Sequence, residues 1–244
     1  MLMRIAGVFA LVWFFSAACA EATLIDSFGA GSDGVSQSLI VWSGYQSDSS
    51  QVNPETGIAI GGYRDMALQW ESGGPAFADV LVTGGAGSFS FTQGTAQGNT
   101  TLTWDGANTP NVLSYALNTD ITDGGVENGF VMNVAEITGT GLTFTVTVYT
   151  DATDYSRFSG TLPGGLSGDQ ALPFSSFTQG GAGPATFANV GAIVFNIDGA
   201  GRSGSDITIN SIRTANIEVP EPSAIALAMI AAMLFGVRWR RKKT

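Results

Sequence analysis

Alternation of apolar and polar positions is the dominant regularity along the chain. In Leu142-Thr143-Phe144-Thr145-Val146-Thr147-Val148, every second side chain is apolar, until Tyr149 breaks the order. An extended backbone sends Leu142, Phe144, Val146 and Val148 to one face and the threonines to the other, so the segment predicts a strand with one buried face. Residues 206–213 begin in the same way, and 37–42, 63–70, 78–83, 88–92, 100–104 and 190–197 supply further predicted strands. Turn signals divide them, among them Gly61-Gly62, Gly73-Gly74-Pro75, Asp105-Gly106, Asp123-Gly124-Gly125 and Pro163-Gly164-Gly165. Helical periodicity is not sustained between the two ends, and no repeat recurs at a fixed period. The fold class this predicts is all-β: two antiparallel sheets packed as a sandwich with jelly-roll-like connections, a closed barrel being the next arrangement.

Both ends depart from that pattern. Arg4 is followed by an unbroken apolar run at 5–15 and then by Ser16-Ala17-Ala18-Cys19-Ala20. A positive start, a short apolar core and small residues at Ala18 and Ala20 predict a secretory signal peptide over 1–20, removed by signal peptidase after Ala20. Lipidation of Cys19 is the competing reading, and Ser16 stands where a lipoprotein signal prefers an aliphatic side chain. Cleavage after Ala20 takes away the single cysteine, so no disulfide staples the exported body and an apolar core must hold it.

At the other end, Val219-Pro220-Glu221-Pro222 precedes an apolar stretch at 224–237 and the cations Arg238, Arg240, Arg241, Lys242 and Lys243. The prolines keep the backbone extended and bar a helix, leaving a strand-like segment open to a processing enzyme. Beyond them the chain predicts one short transmembrane helix whose basic end stays cytoplasmic, which places the body outside. At about 1.5 Å per residue, 223–237 spans roughly 22 Å against a hydrocarbon core of about 30 Å. Snorkelling arginines and Trp239 close part of that gap. A plain tail anchor is the bland alternative.

Together the Pro-Glu-Pro of 220–222, the short apolar helix and the arginine-rich end resemble the PEP-CTERM sorting signal. The resemblance implies a Gram-negative-type envelope and processing near the motif by an exosortase, whose catalytic residues lie in that enzyme and not in this chain. It also implies association with exopolysaccharide at the cell surface or in the extracellular matrix. The domain boundaries that follow are 1–20 for the signal peptide, 21–218 for the sandwich and 219–244 for the sorting signal. The runs 24–28, 61–65, 103–106 and 187–193 resemble the bodies of other sorting-signal proteins, which implies architecture alone.

Composition then narrows the chemistry. The 244-residue chain has no histidine, so Ser-His-Asp and Cys-His nucleophile systems are excluded. Its exported part keeps all 20 acids but only Arg64, Arg157, Arg202 and Arg213, a formal charge of −16 that disfavours nucleic acid. Carboxylates are the acid-base groups that remain, and a polysaccharide-active enzyme needs two of them at a set separation. Most acids, such as Asp33, Asp105, Asp123, Asp169 and Asp198, sit beside glycine or serine where turn-capping explains them. The expectation is therefore a non-enzymatic structural or binding body without an organic cofactor. Trp42, Tyr45, Trp70 and Trp104 are candidates for an aromatic carbohydrate-binding platform, with core packing as the ordinary alternative. Asp26, which opens a first strand at 24–28, and Asp206, which opens the last, are the candidate ligands for a structural calcium if those strands are neighbours.

Overall fold

The computed structural model describes residues 22–29, 38–41, 44–51, 58–83 and 86–217. The signal peptide with Ala18 and Ala20, Trp42, the motif 219–222, the apolar stretch and the terminal cations lie outside these residues. The described chain is all-β. Its strands are β1 (Leu24–Asp26), β2 (Ser38–Val41), β3 (Tyr45–Gln51), β4 (Tyr63–Ser72), β5 (Ala76–Thr83), β6 (Ala86–Thr92), β7 (Gln97–Trp104), β8 (Gly129–Ile137), β9 (Leu142–Tyr149), β10 (Tyr155–Leu162), β11 (Gly168–Pro173), β12 (Thr178–Gln179), β13 (Ala192–Asp198) and β14 (Ile207–Ala215). Two single 3-10 turns, Ile60–Gly62 and Phe174–Ser176, are the helical elements among the described residues.

Two seven-stranded antiparallel sheets form a sandwich. The first runs β11-β8-β14-β6-β5-β2 with β1 also on β14, and the second runs β12-β10-β9-β13-β7-β4-β3. Consecutive strands repeatedly change sheet, as at β4 to β5, β6 to β7, β7 to β8 and β8 to β9, which gives the jelly-roll-like connectivity. Both sheets keep open edges, so the barrel alternative does not apply.

Inward-facing alternate residues fill the space between the sheets. β7 is buried at every second position, ending at Leu102 and Trp104, and β9 buries Leu142, Phe144, Val146 and Val148 as its pattern requires. From the first sheet Phe89, Phe91, Phe130, Met132, Ile207 and Ile209 meet them. One ion pair crosses this core. Asp26 on β1 accepts two hydrogen bonds from Arg64 Nη1, at 2.9 and 3.0 Å, and one from Trp104 Nε1 at 2.9 Å. Both charged side chains are almost fully buried, so each satisfies the other where water cannot.

Candidate functional site

The outer face of the second sheet carries a groove of about 300 Å³. Strand register explains its composition. Tyr45 stands opposite Gln69, and Gln69 opposite Asn99; Ala67 faces Thr101; Asp65 faces Thr103, which faces Val194. Side chains paired this way share a face, and here that face is the one turned from the core. The result is a floor of amides and hydroxyls with Tyr45 toward one end and Tyr149 toward the other.

Pro110, Asn111, Val112 and Leu113 form a wall above this floor. They belong to the loop 105–118, which Asp105 organises at its base. Its carboxylate accepts the N–H of Ala107 at 3.0 Å and of Ser114 at 2.7 Å, while its carbonyl accepts that of Ala116 at 3.0 Å. Gly106 has φ +77°, and a Cβ there would meet the Ala116 carbonyl carbon at 2.8 Å, so the loop can close on itself only with glycine at this point. At the tip, Val112 N–H donates to Thr109 at 3.1 Å, and the Tyr45 hydroxyl donates to Asn111 Oδ1, joining the wall to β3. Asp65, which lines the groove, is 8% exposed although it sits on an outward face.

Tyr149 is one of three tyrosines in a row. Its ring centroid lies 5.7 Å from Tyr115 and 5.2 Å from Tyr155, and the Arg157 guanidinium sits 5.8 Å from the Tyr155 ring. Burial pushes the Tyr149 phenol above its ordinary range and Tyr115 adds to this, while Arg157 opposes it. It therefore stays a neutral hydrogen-bond donor at physiological pH. Tyr45 is 52% exposed and Val112 66%, so the groove presents apolar surface that nothing among the described residues covers.

The four aromatic residues expected to form a platform do not come together. Tyr45 alone of the described members lies on this face. Trp104 is fully buried because its strand position points inward, and its indole is committed to Asp26. Trp70 likewise has an inward register on β4, packs against the core and donates from Nε1 to the Gly74 carbonyl at 3.1 Å. The proposed calcium pair is also separated. β1 does pair with β14, but Asp26 stands opposite Ile212, six residues beyond Asp206 and so roughly 20 Å along the strand. Asp206 instead accepts the Gln93 N–H at 2.9 Å, and Asp26 is enclosed by Arg64 and Trp104. Burial raises the Asp26 carboxyl above the ordinary aspartate range, with Arg64 and the surrounding donors pulling the other way. Among the described residues no group of three or more His, Cys, Asp or Glu is placed to hold a metal ion.

The chain carries the PEP-CTERM protein-sorting motif, matched over residues 218–242. No curated protein matches the chain in sequence. Among solved structures it is similar to the family 11 carbohydrate-binding module from Clostridium thermocellum in complex with a β-1,3-1,4-mixed-linked tetrasaccharide. Identity there is 14% and the TM-score 0.40, covering 80% of this chain and 95% of that one. The family 11 module of the cellulosomal cellulase Lic26A-Cel5E of the same organism is similar at 14% identity and TM-score 0.36, covering 82% and 98%. TmCBM61 in complex with β-1,4-galactotriose follows at 10% identity and TM-score 0.29, covering 78% and 92%.

Proposed function

We propose that this protein is an exported, non-enzymatic sandwich that binds polysaccharide in the groove between Tyr45 and Tyr149. It is anchored in the membrane by its C-terminal helix until an exosortase cuts near Pro220-Glu221-Pro222. It then serves at the cell surface or in the surrounding exopolysaccharide. The observation that carries the binding role is the make-up of the groove. An exposed tyrosine ring offers a flat apolar face for a sugar, and Gln69, Asn99, Thr101, Thr103 and Asn111 offer donors and acceptors at its sides. Binding is favoured over hydrolysis because Asp65 is the one carboxylate among the described residues that line the groove, and glycoside hydrolysis uses two.

Titration calorimetry of the body against a panel of neutral and acidic polysaccharides tests this reading. Binding to at least one glycan is expected. Tyr45→Ala should weaken it about tenfold, as removal of an exposed aromatic anchor does, with the melting temperature little changed. Equal affinity in the variant would remove the groove from the binding site.

A further inference from the structure

β14 ends at Ala215, yet the body keeps hold of the chain as far as Ile217. Asn128, just ahead of β8, accepts the Ile217 N–H on Oδ1 at 2.6 Å and donates from Nδ2 to the Ile217 carbonyl at 3.1 Å. These are the two bonds a neighbouring strand's peptide would make, so the side-chain amide prolongs the β8–β14 ladder. The backbone of Asn128 is engaged as well: its N–H donates to Ala215 at 3.1 Å and its carbonyl accepts the Phe174 N–H at 2.8 Å. Ile217 also packs over Gly129, where a Cβ would collide with Ile217 Cδ1. Next to Asn128, Glu127 secures the other terminus, accepting the Thr23 N–H at 3.0 Å and the Thr214 hydroxyl. One dipeptide thus holds both Thr23 and Ile217 at one pole of the sandwich, and the sorting motif begins at the following residue, 218.

Reach is short beyond that clasp. Pro220 is three residues from Ile217, roughly 10 Å at full extension, and residues 218–223 give roughly 20 Å before the apolar stretch begins. An enzyme that takes its substrate as an added strand needs free N–H and C=O groups around the cut and room for its own edge. Asn128 occupies both groups of Ile217, the residue just before the motif begins. We infer that Asn128 is a positioning residue that ties the chain to the pole of the sandwich one residue before the sorting motif, so that processing proceeds through a form in which residue 217 has left Asn128. This rests on the reading that the tail is cut.

Pulse-chase labelling of the full-length chain in the cells that produce it measures the rate at which precursor becomes product. Asn128→Ala removes both bonds to Ile217 and should raise the opened population, and with it the rate, by about tenfold. Hydrogen exchange should show the Ile217 amide losing its protection in the purified variant. Inserting Gly-Ser-Gly-Ser after Ile217 leaves the clasp intact and lengthens the reach, and it should also speed processing. A folded Asn128→Ala protein cut at the wild-type rate or more slowly overturns the inference; if that variant does not accumulate, a wild-type rate in the insertion variant overturns it. A wild-type chain that is never cut would instead sink the processing role itself, and this inference with it.

Discussion

Asp26 shows how one polar residue can organise an apolar core. It stands on β1, paired with β14 of the first sheet, while Arg64 and Trp104 come from β4 and β7 of the second, so their three hydrogen-bonded contacts tie the layers together. A fourth hydrogen bond, from the Phe28 N–H at 2.6 Å, fixes the chain just after β1. Replacing such a pair with apolar groups can be neutral, but removing one member takes an opposite charge away from the other in the core. Asp26→Asn and Arg64→Met should each lower stability by about 3–5 kcal/mol, and combining them should cost less than the sum. Urea denaturation of the body, taken through the double-mutant cycle, measures this. Additive costs would show that the two side chains act separately.

Elements with a regular inner face were legible in the sequence, and those shaped by their neighbours were not. The strand expected at 142–149 is β9, and those at 100–104 and 63–70 form parts of β7 and β4. β3 escaped because Tyr45–Gln51 is an edge strand of mostly polar residues, with no apolar alternation to read. β8 escaped for the opposite reason: Gly129 to Met132 are all buried, giving a run without alternation. In β10 the inward positions include Ser156 and Gly160, and the glycine is there because a Cβ would lie 2.8 Å from the Phe144 ring. In β14 the inward residues are Ile207, Ile209 and then Ile212, since a bulge between Ile209 and Ser211 shifts the register by one. Of the groove's two tyrosines, Tyr45 was named in the sequence as part of a different aromatic grouping, and Tyr149 was missed, although its place on the threonine face of β9 is the signal that points to an outward ring. The loop wall was not visible, because it depends on Asp105 binding N–H groups up to nine residues away. That dependence can be measured. In Asp105→Asn an amide N–H₂ confronts a backbone N–H, which should cost about 1–3 kcal/mol and loosen the wall. Asp206→Asn disturbs a comparable carboxylate contact, to Gln93, away from the groove. Glycan affinity should fall in the first variant and not in the second; equal affinities would show that the wall has no part in binding.

For the whole molecule, charge is the property that sets behaviour in solution. Residues 21–222 hold 20 acids against four arginines, and of these Arg64 and Arg213 are paired, with Asp26 and Asp169. Most of the remaining carboxylates repel one another over distances longer than any contact. At 0.01 M ionic strength the screening length is about 30 Å, comparable with a domain of this size, and at 0.1 M it is about 10 Å. Added salt should therefore stabilise the body, by about 1 kcal/mol between those limits, which is roughly 3 °C in melting temperature at this length. Acid is not an equivalent remedy. Asp120 is held below the ordinary aspartate range chiefly by hydrogen bonds from Thr122, and Asp151 by those from the Thr153 and Asp154 backbone. A carboxyl with a lowered folded value stabilises fully above its unfolded value and loses that contribution as pH falls through the folded one. Acidification thus relieves the repulsion while undoing the turns at 120–124 and 151–154. Calorimetric scans at neutral pH should show the melting temperature climbing with sodium chloride and equally with potassium chloride. A temperature that falls with salt would mean that attractive pairs, and not the excess of carboxylates, dominate the electrostatics.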